Sequence, residues 1–139
     1  LKKIATFPFK LAVPKKHPLS KESHVHLSQL EHEKFILFNE HFIHNEVFWK
    51  FMNSYGIIPN ILAEVSDIQG FENFIQQKNT IGLLVDFLKL DGIQLIDLDE
   101  PEPVQFYLYL AKQKNGKVTD EAFNEMELYI KNQMYALKN

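Results

Sequence analysis

The chain has 139 residues, 45% hydrophobic and 24% charged, with a formal net charge of −3, a balance that describes one globular domain or part of one. All fifteen cationic side chains are lysine, and neither arginine nor cysteine occurs. This excludes bidentate arginine recognition of phosphate or guanine, disulfides, thiolate catalysis and zinc–thiolate sites. No apolar run approaches the roughly 18 residues of a membrane span, so no membrane contact is expected, and the lack of cysteine is compatible with a cytoplasmic location. The chain opens on Leu1 within a basic, apolar stretch without a signal-peptide layout, as expected of a piece of something longer.

In chain order, Ile4, Phe7, Phe9, Leu11 and Val13 alternate loosely with other residues and predict a strand over residues 9–13. Pro14 has no N–H and is expected to stop the ladder. Lys15-Lys16-His17-Pro18-Leu19 reads as a turn. Six lysines fall within the first 21 residues; with no arginine or interleaved exposed aromatics beside them, they read as a solvated edge rather than a nucleic-acid patch. Residues 20–33 are polar and histidine-rich and carry no predicted element. A compact apolar strand follows at 35–38, then a loop at 39–44. Asn45 is expected to cap a helix over 45–55, with Val47, Phe48, Phe51, Met52 and Tyr55 on its buried face. Gly56 supplies a left-handed cap.

Residues 60–86 read as strand, helix, strand. A short apolar run at Asn60–Val65 follows Pro59, and Ser66-x-x-Gln69 has the form of a capping box. Ile68, Phe71, Phe74 and Ile75 share one face of a helix over 67–77, which Lys78-Asn79 closes. Residues 80–85 are apolar apart from Thr80 and Gly82, as in a strand covered on both faces. A strand, crossover helix and strand in so few residues make a βαβ unit, so these strands should run parallel. Together with strand 35–38 and helix 45–55 they predict an α/β fold: a doubly wound, mixed but mainly parallel sheet with helices on both faces. Further strands are predicted at 92–98 and 105–111, separated by the acidic turn Asp97-Leu98-Asp99-Glu100-Pro101-Glu102-Pro103. After a turn at 114–117, Thr119 caps a closing helix to about residue 135. Val118 and Phe123 are placed as a hydrophobic staple, and Phe123, Met126, Ile130 and Met134 form an apolar stripe.

The order of these signals resembles the LysR-type transcriptional regulators. Leu11-Ala12-Val13-Pro14-Lys15-Lys16-His17-Pro18-Leu19 is similar to that family's L-x-V-P-x-x-H-P-L crossover, and Gly56-Ile57-Ile58-Pro59-Asn60 to its G-x-x-P strand entry. Glu64-Val65-Ser66-Asp67-Ile68-Gln69 resembles its strand-to-helix junction, Ile81-Gly82-Leu83-Leu84-Val85 its later strand, and Ala122 and Phe123 its closing helix. The chain departs from the family at Val85, where proline is usual, and at Lys78-Asn79-Thr80, where a small-residue turn is usual. The resemblance implies one lobe of a type 2 periplasmic-binding-protein-like effector domain. Residues 9–107 would form the second lobe, with crossovers near 9–14 and 104–111. Residues 108–139 would form the return strand and C-terminal helix that belong to the first lobe. The first lobe and the DNA-binding domain have no counterpart, so DNA contact is expected only through a domain absent from this chain.

Ligands of open α/β sheets gather beyond the carboxyl ends of the strands, here residues 39–44 and 66–67. Helix N-termini at those loops attract anions, while Glu40, Glu46 and Asp67 bring opposing charge. The resemblance implies a small metabolite. Asn39, His41, Phe42, Ser66 and Asp67 are the candidate effector-binding residues, against a plainer reading of Ser66, Asp67 and Asn45 as helix caps. His24-x-His26 and His41-x-x-His44 have ligand types for zinc but no recognised signature. The carboxylates at 97–102 sit in a solvated turn with no route to a raised pKa. No cofactor, metal or catalytic residue is therefore expected. The alternatives are a lobe of a solute-binding protein for transport and, behind it, an enzyme on the same fold. Burial of the closing helix's stripe favours a homo-oligomer formed through that helix and strand 105–111.

Overall fold

The computed structural model describes residues 2–86, 88–99 and 105–110, together with Glu121, residues 124–126 and Leu128; the side chains of residues 2–6 and 105–110 are outside the description. In chain order the strands are β1 (Lys2–Pro14), β2 (His24–Val25), β3 (Lys34–Phe38), β4 (Asn60–Val65), β5 (Gly82–Val85), β6 (Ile93–Leu98) and β7 (Gln105–Leu110). The helices are α1 (Ile43–Ser54) and α2 (Ile68–Lys78), with short 3-10 turns at Pro18–Lys21 and Leu27–Leu30.

Strand β1 starts at Lys2, well before the expected residue 9, and serves two sets of partners in succession. Residues 2–8 pair antiparallel with β7. Residues 9–12 then pair antiparallel with β5, and residues 11–14, on the other edge, with β6. Pro14 does not stop this ladder. It lies opposite Ile93, and the next amide, Lys15 N, donates to Gly92 O at 3.0 Å, so only the missing proline N–H is skipped.

The parallel set is as expected for residues 35–38, 60–65 and the start of the strand at 80–85. Strand β3 pairs parallel with β4. Ile81 makes a parallel bridge with Phe35, through Ile36 N to Ile81 O (2.8 Å) and Ile81 N to Lys34 O (3.0 Å). Regular strand then begins at Gly82 rather than Thr80. The bridge carries β4–β3 into the β5–β1–β6–β2 sheet. Among the described residues parallel pairing is confined to β3 with β4, the Ile81 bridge and β2 with β6; β1 makes its pairs antiparallel.

Because side chains alternate along a strand, each face of this sheet has its own core. Phe35 and Leu37 join Leu11, Val13, Leu83 and Val85 beneath Val47, Phe48, Phe51 and Met52 of α1. Ile36 and Phe38 join Ala12 and Leu84 against Phe71 and Ile75 of α2. This is the doubly wound arrangement. Residues 20–33 do carry structure: β2 and a 3-10 turn hold Val25, Leu27 and Leu30 in the core. His17 fastens this segment, its Nε2 3.1 Å from Glu33 Oε2 and its Nδ1 accepting from Leu19 N at 3.0 Å.

Two helix caps differ from expectation. Helix α1 starts at Ile43 with Phe42 at its cap position. Asn45 lies inside the first turn and donates Nδ2 to Phe38 O at 2.8 Å instead of capping. Tyr55 is 41% exposed rather than on the buried face, and stands just past the last helical residue, at the cap position. Gly56, at φ +65°, takes the left-handed turn as read. Helix α2 is capped by Asp67, whose Oδ1 accepts from Gly70 N at 2.6 Å, and not by Ser66. Asn79 closes it at φ 52°. Of the closing helix, Glu121, residues 124–126 and Leu128 are helical, with Met126 and Leu128 exposed. Phe123, Ile130, Met134, the staple, the turn at 114–117 and the acidic residues 100–102 lie outside the described residues.

Candidate functional site

Two loops meet at the carboxyl ends of the parallel strands. One, residues 39–42, leads from β3 into α1; the other, residues 66–67, leads from β4 into α2. They are neighbours because the β3–β4 pairing continues past the strands, with Asn39 N donating to Val65 O at 2.9 Å. Asn39 shapes the first loop: its Oδ1 accepts from His41 N (3.0 Å) and its backbone oxygen from Phe42 N (3.1 Å). This side-chain mimicry of a turn is what asparagine offers at a strand end. His41 is exposed, and Phe42 is half-buried with its ring 4.6 Å from Phe38. Phe38 in turn stacks on Phe71 of α2 at 4.6 Å and 10°. Asn39, His41 and Phe42 thus form one wall and the exposed Ser66 and Asp67 the adjoining one.

The two helix N-termini differ electrostatically. Each presents unsatisfied amides and partial positive charge. At α2 the Asp67 carboxylate already occupies that position. At α1 the cap residue is Phe42, which supplies no side-chain acceptor. An external anion at α1 would meet amides with no side-chain cap, together with the negative charges of Glu46 in the first turn and the exposed Glu40 in the preceding loop. Asp67 can serve a ligand only as an acceptor, for instance of a hydroxyl.

Behind this wall lies a residue that sequence reasoning passed over except as half of a zinc pair. His44, in the first turn of α1, is 6% exposed. Its ring lies 5.2 Å edge-on from Phe9 of β1, 4.8 Å from Phe38 and 6.2 Å from Phe42. Nε2 accepts from Val85 N at 3.2 Å, at the end of β5. That fixes the neutral tautomer with the proton on Nδ1, and among the described residues Nδ1 has no hydrogen-bond partner. Burial alone lowers its pKa from 6.5 to about 4. The signal was present: His44, Val47, Phe48 and Phe51 fall at helical spacing on one face, provided the helix begins at Ile43.

The other predicted clusters sit elsewhere. His41 is exposed whereas His44 is buried and committed to Val85 N, so the two do not share a face. His26 Nε2 lies 3.0 Å and His24 Nδ1 3.8 Å from Asp99 Oδ2, all three on the surface. Among the described residues no group of three or more histidine or acidic side chains is arranged to hold a metal ion. Asp97 and Asp86 flank Lys10 at 3.1 and 3.5 Å. A groove of about 450 Å³ lined by Pro14, Lys15, Lys16, Gln76, Gln77 and Gly92 opens beside the C-terminal turn of α2, away from the loops 39–42 and 66–67. No described helix is long and apolar enough to cross a membrane.

Comparison with known proteins gives the family and the fold. The LysR substrate binding domain model matches residues 1–126. The malolactic fermentation system transcriptional activator of Lactococcus lactis is 27% identical over 115 residues, covering 81% of this chain and 40% of that protein. The effector binding domain of QuiR, solved in complex with shikimate, superposes with a TM-score of 0.74 at 17% identity, over 95% of this chain and 65% of that one. HinK, a LysR family regulator from Pseudomonas aeruginosa, does so with 0.74 at 18%, over 94% and 46%. The chain therefore spans well under half the length of the curated relative it matches.

Proposed function

The chain belongs to the LysR substrate binding domain family, and on that premise we propose that it is the second lobe of the effector-sensing part of a LysR-type transcriptional regulator, binding a small organic anion at the loops 39–42 and 66–67. The observation that carries this reading is the asymmetry of the two helix N-termini: α1 has no side-chain cap, while α2 holds its own carboxylate. The effector carboxylate is directed to the start of α1, with Asn39, His41 and Phe42 around it. Ser66 and Asp67 face the hydroxyl-bearing side of the ligand. Sensing needs no catalytic residue, and the relatives that match are regulators.

In this reading the remainder of the cleft comes from a first lobe, reached through residues 2–8 of β1 and through β7. Residues 108–139 return to that lobe. DNA contact belongs to a separate domain of the full-length regulator, which acts in the cytoplasm as a homo-oligomer. The relative named for a malolactic system and the shikimate-bound neighbour both point to hydroxy acids as first probes. The test is titration of full-length protein with L-malate and shikimate, reading operator binding. His41→Ala and Ser66→Ala should each weaken the response at least tenfold while leaving operator binding without probe intact. An unchanged response in both variants would move the site elsewhere.

A further inference from the structure

Every contact of His44 joins a different part of the lobe. It stands in α1, directly after the loop 39–42; its Nε2 holds the amide that ends β5, and its ring faces Phe42, Phe38 and Phe9. Phe9 lies where β1 changes partners: residues up to Pro8 pair with β7, and Phe9 pairs with Val85. Asp86 N donates to Pro8 O at 2.9 Å at the same step. Val85 N is thus held by a side chain of α1 at the point where β1 leaves the lobe. Among the described residues one of the two imidazole nitrogens has a partner, Val85 N, and the other is a buried donor without an acceptor. The ring is held by one hydrogen bond and by its contacts with Phe9, Phe38 and Phe42.

We propose that His44 is a positioning residue that couples occupancy of the loop 39–42 to the path of β1 as it leaves the lobe. A ligand that moves Phe42 moves the His44 ring, and with it the Val85 amide and the Phe9 ring against which β1 is registered. The effector half of this rests on the reading of loop 39–42 given above; the link from His44 to β1 does not.

The test uses the full-length regulator, hydrogen exchange by mass spectrometry, and two variants. His44→Gln keeps an acceptor at the Nε2 position; His44→Phe keeps the ring and removes the acceptor. Without ligand, exchange in segments 5–12 and 82–90 should rise about tenfold in His44→Phe, the equilibrium factor of one net hydrogen bond, and return to near wild type in His44→Gln. With L-malate or shikimate, protection gained at 39–48 should be accompanied by a change at 5–12 in wild type and His44→Gln. In His44→Phe the first should persist and the second disappear. Equal exchange at 5–12 in His44→Phe and wild type without ligand would overturn the link to β1. Joint loss of probe protection at both segments in a folded His44→Phe would also overturn it, since His44 would then belong to the ligand site. Silence of both probes at 39–48 in wild type would overturn the effector reading, and the ligand-free comparison would still decide the link.

Discussion

Buried His44 gives the fold a pH dependence whose sign and window follow from its surroundings. Its neighbours are three aromatic rings and a backbone amide, and desolvation alone lowers its pKa from 6.5 to about 4. Above pH 6.5 neither the folded nor the unfolded chain carries a proton there, and the residue's full contribution is present. As pH falls below 6.5 the unfolded chain binds the proton first, so stability is lost, by about 1.4 kcal/mol per unit, until the folded state also protonates near pH 4. The whole effect is about 3 kcal/mol, a large part of the 5–15 kcal/mol typical of a domain. Urea unfolding followed through Trp49, which stands edge-on to Phe48 on α1, measures it at intervals from pH 7.5 to 4. His44→Gln, which cannot titrate, is the reference that removes every other carboxylate and histidine from the comparison. The gap between the two curves should widen steadily below pH 6.5 to the wild type's disadvantage. Parallel curves over that range would show that the ring is not desolvated, and the placement of His44 would be wrong.

Three further outcomes can be checked. Gly82→Ala should cost about 1–3 kcal/mol in urea unfolding, because its Cβ would lie 2.7 Å from the Phe71 ring and 2.9 Å from Ile36 O. Asp67→Ala should cost about 1 kcal/mol through loss of the Gly70 N–H acceptor, and Ser66→Ala close to nothing; the reverse order would restore the capping box at Ser66. A sedimentation series should show concentration-dependent self-association, reduced by Met126→Glu and Leu128→Glu, two exposed apolar residues of the closing helix; a strictly monomeric protein at all concentrations would sink this.

What was legible in the sequence was local. Strands 35–38 and 60–65 are short apolar or alternating runs with clear boundaries, and α2 has a periodic face with a left-handed asparagine after it. Ser66 and Asp67 are both cap formers, so the residues alone leave the cap of α2 open by one position. Only the backbone decides, putting Asp67 in the extended conformation with Gly70 N within reach of its carboxylate. What was not legible depended on distant partners. The two-residue strand β2 exists because Val25 pairs with Leu98, a contact no local period encodes. The length of β1 likewise follows from two sets of partners in other parts of the chain. At the candidate site, the loops were found from the rule of the carboxyl edge. A helix that starts at Asn45 leaves His44 in the loop, whereas α1 begins two residues earlier, at Ile43.

The carboxyl edge is also where the two cores of the sheet come together. Phe38 belongs to the face covered by α2 and stacks on Phe71, yet its ring also meets Phe42 and His44 from the start of α1. Each such aromatic pair contributes about 0.5–1.5 kcal/mol beyond its burial, so the cluster resists rearrangement as long as nothing is gained by it. The unpaired Nδ1 donor of His44 works in the opposite direction, at a cost of about 1–3 kcal/mol while it stays unsatisfied. The two terms are of the same size. An acceptor brought within reach of Nδ1 would therefore offset a cost as large as the contribution of the ring contacts that hold His44 in place.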